Sequence, residues 1–340
     1  MEAVPICRRH GARMTGKLLT IDAGKLAPIV PAGKDGRPGK KAPRAKQSSG
    51  TASSKSAPSF LQRILRRRTA REVDALPHAT FSRTSMGIRS IVSAGIGTPT
   101  VVFEAGLGHG KRTWGPVFNA ISATTRAVAY DRAGYGQSEP SRASRDGLQI
   151  VLELRAMLRK ERIAPPYVLV GHSLGGTYMK LFAKTFPNEV AGVVLVDARH
   201  AEFTQRCRQL GVPRLLYDPP EVLLAMFSPV ARAELEAAPL TLKQARRAGT
   251  FPPVPLIVLT QRNAVSKWPS GLGKVWAASQ RSMAKMSTLG RIKVCDDAGH
   301  NVHLDRPDMV VKAVLNVVRA ARYMAAKSLR AALAPDPGRR

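Results

Sequence analysis

The chain has 340 residues, enough for one large α/β domain or two medium ones and for a sizeable core. It carries 54 Lys and Arg against 23 Asp and Glu, a formal net charge of +31, a balance that ordinarily points to nucleic acid or an anionic surface. Cys7, Cys207 and Cys295 lie far apart without C-x-x-C spacing, and no apolar run reaches the ~18 residues of a spanning helix or forms a secretory core, so a disulfide scaffold, a four-ligand zinc site and a membrane span are excluded.

Residues 1–78 hold 17 Lys and Arg and 5 Asp and Glu, so +12 of the charge lies there and +19 in the remaining 262 residues. Their Gly, Pro, Ser, Ala, Lys and Arg composition offers no continuous apolar face, and the expectation is a basic, largely disordered arm. Phe60, Leu61, Ile64 and Leu65 recur at helical spacing beside Arg63, Arg66, Arg67 and Arg68. That stretch reads either as a solvated linker or as a weak polyanion or membrane-surface contact, and its Arg- and Ser-rich texture also resembles a transit peptide. With no recognised nucleic-acid fold, no specific nucleic-acid partner is expected, and the default location is cytoplasmic.

From about residue 80 short apolar runs alternate with helical patterns. Strands are predicted over 101–104, 126–130, 167–170, 193–196, 256–260 and 291–294, and helices over 113–122, 144–162, 174–186, 271–287 and 307–322. Most strands are continuously apolar, as a parallel sheet covered on both faces requires, so the fold class is a doubly wound α/β sheet. The sixty residues between 196 and 256 hold no convincing strand and are too long for a connection, so an inserted helical cap is expected over about 199–250. There Leu215, Leu216, Leu223, Leu224, Met226 and Phe227 suit an apolar binding site or the cap's own core equally well. The α/β domain is bounded at 79–326, and a disordered tail is expected over 327–340.

The strongest chemical signal is Gly171-His172-Ser173-Leu174-Gly175-Gly176, directly after an apolar strand and directly before a helix. In that context G-x-S-x-G is a nucleophile elbow, with Ser173 raised on a tight turn at a helix N-terminus. A hydroxyl needs a base, and His300, in a loop past the last strand, is the candidate, with His303 its rival. A carboxylate should orient the imidazole. No acid follows 256–260 before Asp296, whereas Asp197 ends the preceding strand, with Asn263 as the uncharged fallback. The order Ser173, Asp197, His300 agrees with Ser, Asp/Glu, His. Two N–H groups, those of Leu107 in the loop Glu104-Ala105-Gly106-Leu107-Gly108 and of Leu174, are expected to form an oxyanion hole. That loop lacks the spacing of a phosphate cradle.

With these residues in view, the chain resembles the α/β-hydrolase superfamily over roughly 80–325. The resemblance rests on Phe103 to Gly108, on Tyr130-Asp131-Arg132-Ala133-Gly134-Tyr135-Gly136-Gln137-Ser138, on the elbow, and on Gly299-His300 followed by Leu304-Asp305-Arg306-Pro307. It implies a mostly parallel sheet with a cap over the site and Ser173 and His300 as catalytic residues. The usual acid after the next-to-last strand is absent, which places the weight on Asp197, and the loop begins Ala105-Gly106 where the family commonly has His-Gly. Asp131 and Arg132 are expected to fix the loop at the floor of the site. The function expected is cleavage of an ester or amide of a small molecule through an acyl-enzyme, with neither metal nor organic cofactor. Peptidase, carbon–carbon hydrolase and cofactor-free peroxidase chemistry fit the same residues, and a non-catalytic binding protein on this scaffold is the rival from another class.

Overall fold

The apolar runs form strands because both of their faces are covered. In the computed structural model, which describes residues 76–214, 227–262 and 271–333, Val102, Leu169, Val193 and Leu195 point to one side of the sheet, whereas Phe103, Val168, Val170, Val194 and Val196 point to the other. Alternate side chains enter opposite layers, so every position is buried and the sequence reads as continuously apolar. Every described residue belongs to one compact unit.

The strands are β1 (Thr80–Thr84), β2 (Gly87–Ala94), β3 (Thr100–Glu104), β4 (Ala127–Tyr130), β5 (Tyr167–His172), β6 (Val190–Val196), β7 (Leu256–Gln261) and β8 (Gly290–Cys295). They form one sheet in the order β1-β2-β4-β3-β5-β6-β7-β8, with β2 antiparallel to β1 and β4 and every other pairing parallel. The first layer holds α2 (Gly147–Lys160) and α3 (Leu174–Thr185), and the second holds α1 (Gly115–Ser122) and α9 (Pro307–Leu333). Helix α2 starts where Asp146 accepts hydrogen bonds from the N–H groups of Leu148 and Gln149, and it buries Ile150, Leu154 and Met157 at helical spacing.

Among the described residues, three helices lie between β6 and β7, namely α4 (Phe203–Gln209), α5 (Pro229–Glu236) and α6 (Ala238–Arg247). After β7 come α7 (Leu272–Ala284) and, past β8, the single turn α8 (Val302–Asp305). The basic stretch at 60–71, the leucines and methionine of 215–226, and Asn263 lie outside the described residues.

Two differences from the sequence reading have local causes. The hairpin of β1 and β2 was not anticipated, because its strands mix polar and apolar residues at the sheet's antiparallel edge. Helix α9 runs on to Leu333, so the expected tail cannot begin at 327. Its apolar stripe ends at Ala321, but the Ala, Leu, Lys and Arg that follow are strong helix formers and propagate the helix into solvent.

Candidate active site

Parallel register brings three strand ends to one edge of the sheet. Gly171 pairs with Leu195 and His172 with Val196, so Ser173 and Asp197 emerge side by side. Val196 in turn pairs with Leu259, which sets Thr260 and Gln261 beside Asp197. Ser173 has φ +51° and ψ −118°, a conformation that costs a non-glycine residue of order 1–3 kcal/mol. Its N–H donates to the Val196 carbonyl at 3.1 Å, and its own carbonyl accepts from Arg199 N at 2.9 Å and Gly176 N at 3.1 Å. A Cβ on Gly171 would lie 2.7 Å from Gly175 O and from the Gly176 Cα, so the elbow closes only around glycine there. Replacing Ser173 by glycine should therefore raise stability by about 1 kcal/mol, net of the freer unfolded chain, whereas Ser173→Ala keeps the strain. Urea unfolding of the two variants checks this.

His300 follows β8 and reaches back over the strand ends. Its Nε2 lies 2.9 Å from Ser173 Oγ and its Nδ1 2.8 Å from Asp197 Oδ2. Asp197 is wholly buried, while the His300 side chain is 39 % exposed. The Asp197 carboxylate accepts three further hydrogen bonds, from Thr260 Oγ1 (2.8 Å) and Trp276 Nε1 (2.8 Å) on Oδ1 and from Gln261 Nε2 (3.0 Å) on Oδ2. A carboxylate offers only acceptors, so the imidazole proton belongs on Nδ1 and the Nε2 lone pair faces the serine. The structure thus brings Ser173, His300 and Asp197 into one hydrogen-bonded line. Sequence reasoning missed Thr260, Gln261 and Trp276, since nothing local marks a side chain that reaches a carboxylate from another strand or helix.

The loop that carries Leu107 passes close to the elbow, where a Cβ on Gly106 would lie 3.3 Å from Ser173 Cβ. Leu174 is the first residue of α3, where an N–H has no intrahelical partner, and a Cβ on Gly175 would run into the carbonyls of Glu104 and Ala105. The loop is held from below by Arg132, whose Nη1 donates to Ala105 O (2.8 Å) and whose Nη2 donates to Gly106 O (3.0 Å). Beyond Leu107, Gly108 N donates to the Tyr135 hydroxyl at 3.3 Å. Arg132 is pinned by two buried carboxylates, Glu104 (2.7 Å) and Glu234 (2.8 Å). Burial opposes its charge, but Glu234 and Glu104 more than offset this and hold the guanidinium well above its ordinary value. Glu104 also accepts from the Tyr130 hydroxyl. Asp131 takes Lys111 N (2.7 Å) and Lys111 Nζ (2.5 Å), fixing the backbone just past the loop.

Two further imidazoles pack under the site. His172 Nε2 lies 2.9 Å from the carbonyl of His300 and can only donate to it, and the ring stands 4.8 Å from His300 and 4.4 Å from His303, centroid to centroid. His303, the rival base, is fully buried in α8 with Nε2 2.7 Å from Thr113 Oγ1. Burial, reinforced by His303 and His300, pushes His172 well below the usual histidine range, and burial together with His109 and His300 pushes His303 down to about 3. Among the described residues these side chains do not converge into a metal-holding group.

These depressed values carry a stability prediction. Above about pH 6.5 both histidines are neutral folded or unfolded; below it the unfolded chain binds protons that the folded one refuses, so stability falls as pH falls. Stability should therefore fall steadily between about pH 6 and 5, and His303→Asn should flatten that fall. Urea unfolding at pH 7.5, 6.0 and 5.0 measures it.

A family model described as the alpha/beta hydrolase family matches residues 101–313, and the chain belongs to that family. It is 30% identical over 230 residues to the uncharacterized protein YqjL of Bacillus subtilis (strain 168), covering 67% of this chain and 86% of that one. Among solved structures, a thermophilic esterase from Thermogutta terrifontis superimposes with a TM-score of 0.54 at 18% identity, over 72% of this chain and 99% of that one. The enol-lactonase from Burkholderia xenovorans LB400 gives 0.54 at 18%, over 71% and 100%. At such identities the two structures speak for the fold alone. No described helix is long and apolar enough to cross a membrane.

Proposed function

We propose that this protein is a serine hydrolase that cleaves an ester or amide bond of a small molecule through an acyl-enzyme. The observation that carries the reading is His300, with Nε2 at 2.9 Å from Ser173 Oγ and Nδ1 at 2.8 Å from the buried Asp197 carboxylate. In this mechanism Ser173 Oγ attacks the carbonyl carbon as its proton passes to His300 Nε2, and Asp197 stabilises the imidazolium. The N–H groups of Leu107 and Leu174 hold the oxyanion. Collapse expels the leaving group with the proton from His300. Water, deprotonated by the same imidazole, then attacks the acyl-enzyme and regenerates Ser173. No step calls for a metal or organic cofactor. The helical insert between β6 and β7 serves as a cap that selects the substrate, and residues 1–78 are an accessory basic arm.

A fluorophosphonate probe tests the reading, because it phosphonylates only an activated serine. Wild type should label, Ser173→Ala should not, and His300→Ala should label far more slowly. A folded wild type that neither labels nor turns over p-nitrophenyl esters would overturn the hydrolase reading in favour of a binding role.

A further inference from the structure

Helix α5 of the insert carries a carboxylate with no solvent exposure, Glu234, which no step above uses. A buried acid is costly unless both oxygens are satisfied. Here Oε1 accepts from Arg132 Nε at 2.8 Å, and Oε2 accepts from Arg132 Nη2 at 3.0 Å and from the Tyr135 hydroxyl at 3.1 Å. The first two form a bidentate fork that fixes the plane of the guanidinium.

Both groups that Glu234 holds are the groups that hold the oxyanion loop. The far side of the Arg132 guanidinium donates to the carbonyls of Ala105 and Gly106, just before Leu107. The Tyr135 oxygen that donates to Glu234 accepts from Gly108 N, just after Leu107. The peptide that bears the Leu107 N–H, together with those before and after it, is therefore held by two side chains that converge on one carboxylate of the insert. Helix α5 also seats on the same floor through Val230, whose Cβ lies 3.1 Å from where a side chain on Gly134 would begin. A separate anchor, Thr241 Oγ1 accepting from Gly147 N at 2.8 Å, ties α6 to the start of α2 and does not touch the loop.

We propose that Glu234 is a positioning residue that couples seating of the insert to assembly of the oxyanion hole. With α5 seated, the Leu107 N–H is aimed where the oxyanion develops. This rests on the hydrolase reading above.

The test uses the full chain, with kcat and KM measured on p-nitrophenyl acetate and on its thiono analogue, whose sulfur accepts hydrogen bonds poorly. Wild type should strongly prefer the oxygen ester. Glu234→Gln should lower kcat on it about 10- to 100-fold with KM nearly unchanged, and the preference over the thiono ester should shrink in parallel. Thr241→Val, which loosens the other anchor, should lower stability and leave kcat within about twofold, as expected of a contact that reaches no donor. A folded Glu234→Gln with unchanged kcat, or with reduced kcat but an intact preference, overturns the proposal. If Glu234→Gln does not fold, Tyr135→Phe carries the same test, with a loss of about 3- to 10-fold and a smaller preference expected, and unchanged values overturning it. A wild type inert to both esters and to fluorophosphonate would instead overturn the hydrolase reading itself.

Discussion

Replacing Asp197 by asparagine is expected to lower kcat for ester hydrolysis about 10⁴-fold, with KM little changed. The reason lies in who can change hydrogen-bonding role around the carboxylate. Thr260 can rotate its hydroxyl and Gln261 can turn its amide, but the indole N–H of Trp276 only donates. Trp276 therefore claims the asparagine oxygen on the Oδ1 side, and the NH2 falls on the Oδ2 side, against His300 Nδ1. That nitrogen must then become the acceptor, its proton moves to Nε2, and the ring presents a donor to Ser173 where a base is needed. The double variant Asp197→Asn with Trp276→Phe releases the amide to turn over and should recover part of the loss. Steady-state kinetics on p-nitrophenyl acetate check both, with urea unfolding to confirm a folded chain. Full activity in Asp197→Asn would mean that another group orients His300.

Arg132→Met should be the most destabilising single substitution among those considered, by about 3–5 kcal/mol. It leaves Glu104 and Glu234 buried without a cation and strips the carbonyls of Ala105 and Gly106 of their donors. The guanidinium also stacks 4.6 Å from the Tyr135 ring and 5.5 Å from that of Tyr178, contacts methionine replaces only in part. Combining Arg132→Met with Glu104→Gln and Glu234→Gln removes the stranded charges and should return more than half of the stability, although the loop stays unpinned. The exposed pair Arg262 with Asp296 is the control, where Arg262→Met should leave the urea midpoint nearly unchanged. Urea midpoints at pH 7.5 separate these outcomes. A loss below about 1 kcal/mol for Arg132→Met would mean that water or rearranged side chains satisfy both carboxylates.

The parts of this site legible in the sequence are those whose chemistry is local. The elbow is readable because a strand, a tight glycine turn and a helix must follow one another within a dozen residues, and each leaves its mark between Tyr167 and Thr185. His300 is readable from its loop position after the last strand. Asp197 is readable only by elimination, since an aspartate at a strand end is common. Its donors from Thr260, Gln261 and Trp276 come from residues 63 to 79 positions away, and no pattern in the chain announces them. Glu234 is less visible still, one carboxylate in an amphipathic helix, identical in sequence terms to a solvated one.

By itself, then, the sequence determined the alternation of strand and helix, the parallel and doubly covered character of the sheet, and which serine and histidine to propose as nucleophile and base, because burial on two faces and a strained turn both constrain residue type at fixed spacing. The tertiary structure alone decided how Asp197 is held, and that the insert reaches the loop around Leu107 through Glu234, Arg132 and Tyr135. Those features depend on side chains meeting across elements more than 60 residues apart, where register and packing set distance and the linear order carries no measure of it.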